Sequence, residues 1–131
     1  MKAVITSLLL IFLSGCATTN ANLQSDNSPI YKIIAVTTTE LDKHGNTCAD
    51  ATGTIRLYEN GVYGSAIDSF GRGFKITGKI DASGKITGGF ALSVITAVDF
   101  IGQHDADKKY ANGTWKDIYE CKGTWNATKT F

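Results

Sequence analysis

Two histidines and a scatter of carboxylates are the residues that could do chemistry here, and their spacing is poor for it. His44 and His104 are the only imidazoles, each in a polar segment. His104 lies in Gln103-His104-Asp105-Ala106-Asp107-Lys108-Lys109, where one histidine and two acids stand close enough in sequence to touch a cation. The segment lacks the ordered ligand spacing of a calcium loop, so it is expected to be a solvated turn. Asp99 interrupts the apolar run Ala97 to Ile101. Buried there it would have a perturbed pKa and a candidate function; the commoner outcome for such an acid is a strand position in contact with solvent. No Gly-x-Ser-x-Gly elbow is present, nor a cysteine with a histidine base beside it. A glycosidase pair of carboxylates depends on their separation in space, which sequence spacing does not give. No catalytic residue, cofactor or metal ligand is therefore assigned, and the expectation is a protein that is not an enzyme.

The N-terminus carries a different kind of chemistry. Met1-Lys2 is a short basic start, and Ala3 to Phe12 is an apolar run too short to span a bilayer as a permanent helix, the pattern of a secretory signal. It is followed by Leu13-Ser14-Gly15-Cys16. These residues resemble the lipobox of a bacterial prolipoprotein. The resemblance implies a thioether-linked diacylglycerol on Cys16, cleavage just before it and acylation (palmitate) of the freed amine. Two or three acyl chains anchor firmly, since each buried methylene contributes about 0.8 kcal/mol and one chain alone holds only marginally. Ala17, rather than an aspartate, follows the cysteine, which in Gram-negative members of this family implies transfer to the outer membrane, on its periplasmic face.

An exported chain changes how the other cysteines are read. Cys48 and Cys121 are an even pair, expected to form one disulfide, with a metal pair or a redox couple as the competing readings. Neither competitor has support from a Cys-x-x-Cys spacing or an adjacent histidine.

Loss of residues 1–15 removes Lys2 from the 13 basic side chains, balancing them against the 12 acids. A neutral chain with no dense run of Lys or Arg argues against nucleic acid as a partner and against electrostatic binding to a membrane surface. The partners implied are the membrane, through the lipid, and an envelope protein or glycan.

Three segments follow: a signal over 1–15, a lipidated N-terminus and tether over 16–29, and one domain over 30–131. Ala17 to Ser28 is polar, free of aromatics and closed by Pro29, the only proline, as expected of a flexible tether spanning about 20 Å.

From Ile30 onward the hydrophobic period is two. Phe74, Ile76, Gly78 and Ile80 alternate with Lys75, Thr77 and Lys79; Ile86, Gly88, Phe90, Leu92 and Val94 alternate with Lys85, Thr87, Gly89, Ala91 and Ser93. Asp81-Ala82-Ser83-Gly84 and Glu59-Asn60-Gly61 have hairpin chemistry, with Asn-Gly expected to supply the positive φ. The resulting strands are near 30–39, 52–58, 61–67, 73–80, 84–93, 96–102, 109–117 and 121–131. Eight short strands and 14 glycines predict an all-β domain, a small antiparallel up-and-down barrel or a related sandwich. Strand glycines would allow the coiling that closes a small barrel. The strands are too short and too polar on one face for a lipid-facing band.

A weak repeat recurs at Gly53-Thr54-Ile55, Gly78-Lys79-Ile80, Gly113-Thr114-Trp115 and Gly123-Thr124-Trp125. The two Gly-Thr-Trp elements resemble those of small calycin-type barrels, the lipocalin and avidin architecture, and of bacterial inhibitors built on similar barrels. Fold does not carry function with it. The candidate contact residues are Tyr58 and Tyr63, which flank a hairpin tip, His104 in its polar loop, and Trp115 and Trp125, expected mainly as core. Two functions are consistent with this set: a binding module for an envelope protein, a glycan or a small apolar ligand, and an inhibitor of a hydrolase such as a lysozyme or protease, inserting the Gln103 to Lys109 loop.

Overall fold

The structure, a computed structural model, describes residues 28–92 and 95–130. The expected signal over 1–15, Cys16 and most of the expected tether lie outside the described residues, as do Ser93, Val94 and Phe131.

Eight strands close into one antiparallel barrel in sequence order: β1 (Ile30–Thr37), β2 (Ala51–Tyr58), β3 (Gly61–Asp68), β4 (Gly73–Ile80), β5 (Lys85–Leu92), β6 (Ile95–Asp105), β7 (Tyr110–Asp117) and β8 (Lys122–Lys129). β8 pairs back onto β1, from Tyr31 opposite Lys129 to Thr37 opposite Gly123, so no edge is left open. The two-fold alternation sets which side chains face inward. Ile76 and Ile86 are buried while Lys75, Thr77, Lys85 and Thr87 are not. Asp99 points outward to solvent between buried Val98 and Phe100, the commoner of its two outcomes.

Closure of so narrow a barrel requires backbones to approach closely. Gly78 stands opposite Gly88, and Gly102 opposite Gly113. A Cβ on Gly78 would lie 2.7 Å from the Thr87 carbonyl oxygen, a contact that no other residue type could accept unmoved.

Alternating strands give the barrel two poles. The chain comes in at Ile30, and the β2–β3, β4–β5 and β6–β7 turns share that pole. The opposite pole carries the β1–β2 connection, 38–50, and the β3–β4 and β7–β8 turns.

Two local expectations need correction. The β2–β3 turn places its positive φ at Glu59 (53°), leaving Asn60 and Gly61 outside the left-handed region. A two-residue hairpin that is left-handed only at its first central position has the type II′ pattern, in which Asn-Gly has no special advantage. The polar loop is also shorter than expected. Gln103, His104 and Asp105 belong to β6, paired with Asn112, Ala111 and Tyr110, and only residues 106–109 turn.

Candidate functional site

On β1 and β2 the inward side chains shrink along the barrel axis, from Tyr31 and Ile55 to Ala35 and Ala51, while β4 and β7 keep Phe74 and Trp115 at that end. Around the middle, Ile55, Ile76, Phe100 and Trp125 are buried, with the last two rings packed edge to face at 5.9 Å. Toward the pole away from Ile30 the inward positions of β1 and β2 are only Ala35 and Ala51. Less volume is filled there, and a cavity of about 650 Å³ opens at that mouth. Its floor is Ala35, Ala51, Phe74, Val98 and Trp115, and its wall includes the Cys48–Cys121 disulfide.

Three copies of one turn build the rim. In each, an aspartate Oδ1 accepts hydrogen bonds from the backbone N–H groups two and four residues on: Asp42 from His44 and Asn46, Asp68 from Phe70 and Arg72, Asp117 from Tyr119 and Cys121. The fourth residue is left-handed in every copy, Gly45 at 81°, Gly71 at 82° and Glu120 at 71°. This is a type I turn followed by a bulge, and the carboxylate satisfies backbone donors that the ladder leaves unpaired. A fourth copy, Asp81 with Gly84, sits at the other pole. Of the four copies, only Asp81-Ala82-Ser83-Gly84 stands out in the sequence as hairpin chemistry. Asp-x-x-Gly at 42–45 and 68–71 was the available signal, whereas Asp117 was hidden because Glu120 replaces the glycine.

The β1–β2 connection folds over this pole. Leu41 bridges to Thr47, the Lys43 N–H donates to the Tyr119 carbonyl at 2.8 Å, and the disulfide ties Cys48 to the end of the β7–β8 turn. His44 packs against the Tyr119 ring at 6.0 Å.

The rim carboxylates differ in their surroundings. Asp68 is buried and its Oδ2 accepts from Arg72 Nε at 2.7 Å. Asp42 is held below the usual carboxylate value, chiefly by the Asn46 backbone N–H. Asp117 is pushed above it, first by burial and also by the nearby charge of Asp42, against the pull of its two backbone donors and of Arg72. Trp115 is 7% exposed, and its indole N–H has no hydrogen-bond partner among the described residues. Trp125, by contrast, donates from Nε1 to the Ile101 carbonyl at 3.1 Å.

The residues singled out from sequence are not gathered in one place. Trp115 lines the cavity, and Trp125 lies deeper in the core. Tyr58 and Tyr63 are exposed beside the β2–β3 turn, at the pole away from the cavity. His104 belongs to that pole too, but it does not sit in a solvated turn. Its position in β6 faces inward with Phe100 and Gly102, and its Nε2 shares a 2.8 Å hydrogen bond with the Tyr31 hydroxyl. Burial holds the Tyr31 pKa above its ordinary value, so the hydroxyl stays protonated at neutral pH. Among the described residues no group of three His, Cys, Asp or Glu side chains stands close enough to hold a metal ion.

The fold and site together define an eight-stranded up-and-down barrel, packed at one pole and open at the other. Compared with known proteins, the chain matches no family model and no curated protein sequence.

Proposed function

We propose that this protein is a non-enzymatic binding module of the bacterial cell envelope, anchored by lipid on Cys16 to the outer membrane and taking its ligand through the barrel mouth. The observation that carries the binding reading is the cavity of about 650 Å³, floored by Phe74, Val98 and Trp115. Small-molecule sites have this size and this apolar lining with a few polar groups at the edge. The mouth lies at the pole opposite Ile30, where the tether joins the barrel. With Cys16 in the lipid, that arrangement lets the mouth face away from the membrane.

Octanol, titrated into the protein and read by tryptophan fluorescence, tests the binding reading. Binding by the wild type that is lost in Ala51→Phe, which fills the floor, supports it. Absence of binding, or equal binding by the variant, overturns it. The anchor is tested separately: Cys16→Ser is expected to leave the membrane fraction and lose its acyl mass.

A protein partner, including a hydrolase held inhibited, is the second reading. It is favoured by the exposed apolar side chains Leu41, Phe70, Ile118 and Tyr119 on the mouth connections. The inserting segment would then belong to this pole, since the turn at residues 106–109 lies at the other one.

A further inference from the structure

We infer that the mouth cavity selects an organic cation, an ammonium or guanidinium group on an apolar body, with the charged head beside Asp117 and Asp42 and the body over Trp115 and Phe74. This rests on the binding reading above and specifies its ligand.

Charge is the first argument. The mouth connections 38–50, 68–72 and 117–121 carry six acidic side chains and two basic ones. Of the two bases, Arg72 is already engaged by Asp68 at 2.7 Å. No cation stands within ion-pairing distance of Asp42 or Asp117 among the described residues. Arg72 acts on Asp117, and His44 on Asp42, only from beyond ion-pairing distance; Asp117 is partly removed from water, and a bound cation offsets the cost of that burial.

Geometry is the second. Asp117 spends Oδ1 on the Tyr119 and Cys121 N–H groups, and its Oδ2 accepts no hydrogen bond from the described residues. The turn therefore holds the carboxylate in place while leaving one oxygen for a ligand. The cavity is also aromatic, with Phe74, Trp115 and Tyr119 in its lining. Aromatic faces beside carboxylates attract ammonium and guanidinium groups, and tryptophan is the best of them. A neutral apolar ligand would use the floor alone, and an anion would be repelled by the acidic rim.

Three probes of equal chain length separate the outcomes: octyltrimethylammonium, octanol and octanoate, each titrated at neutral pH. The cation is expected to bind on the order of tenfold tighter than octanol, the size of one charged contact, with octanoate weakest. Asp42→Asn with Asp117→Asn keeps the side-chain acceptors of both turns and is expected to bring cation and octanol to about equal affinity. Equal binding of all three probes by the wild type overturns the cation preference and leaves the binding reading standing. Failure of all three to bind overturns both. If the double variant does not fold, the order of the three probes on the wild type still decides the matter.

Discussion

Trp115 stands directly across the β7–β8 ladder from Gly123, and Trp125 directly across from Gly113. The two Gly-Thr-Trp elements are therefore reciprocal: each strand's glycine faces its partner's tryptophan. A Cβ at position 123 would lie 2.8 Å from the Trp115 indole nitrogen and 2.9 Å from the Thr37 Cα, and would collide with the Val36 carbonyl oxygen. Gly123→Ala is expected to destabilise the barrel by about 1–3 kcal/mol through overpacking. Urea unfolding followed by fluorescence measures this, and an unchanged midpoint would contradict it.

Glu120 holds a left-handed conformation, φ 71°, at the turn position where Gly45, Gly71 and Gly84 hold it without a side-chain penalty. For a residue with a Cβ that conformation costs about 1–2 kcal/mol. Glu120→Gly is expected to raise stability by up to about 1 kcal/mol, the remainder being lost to greater freedom of the unfolded chain. Thermal melts of the two proteins are the check.

The disulfide spans a sequence separation of 73. On the chain-entropy relation its loss costs about 4 kcal/mol. Cys48→Ser with Cys121→Ser is expected to show that loss in denaturant, together with faster amide exchange over residues 38–50, because only non-covalent links then hold the connection: the Lys43 to Tyr119 hydrogen bond, the His44–Tyr119 ring contact and the bonds of Thr38 and Thr39 to Lys122.

Acid affects the turns in opposite directions. Asp42 and Asp81 have folded pKa values below 3.8, so their contribution is present above that value and is lost as pH falls through the folded pKa. Asp117 lies above 3.8, so its ionisation opposes folding above the folded pKa, and acidification toward 3.8 relieves that opposition. Unfolding midpoints against pH are expected to show less acid loss in Asp42→Asn and Asp81→Asn, and less relief on mild acidification in Asp117→Asn.

Much of the barrel was legible because alternation is a local signal. Ile76 against Lys75, and Trp125 against Thr124, assign an inner and an outer face from neighbouring residues alone. The disulfide was legible from cysteine number once export was inferred. The site was not, because it arises from relations between distant strands. Ala35 and Ala51 look like ordinary strand residues, and only their placement in adjacent strands at one pole opens a cavity. His104 was misplaced because its polar neighbours resemble a loop, whereas its pairing with Ala111 extends β6 and turns its ring inward.

The binding site is tested most directly by following the two indole N–H resonances while octyltrimethylammonium is titrated into the protein. The unpartnered Trp115 resonance is expected to shift with saturation, while that of Trp125, bonded to the Ile101 carbonyl, stays in place. A titration in which Trp115 does not move, or in which the shifts fall at Tyr58 and Tyr63 on the opposite pole, would contradict a ligand site in the barrel mouth.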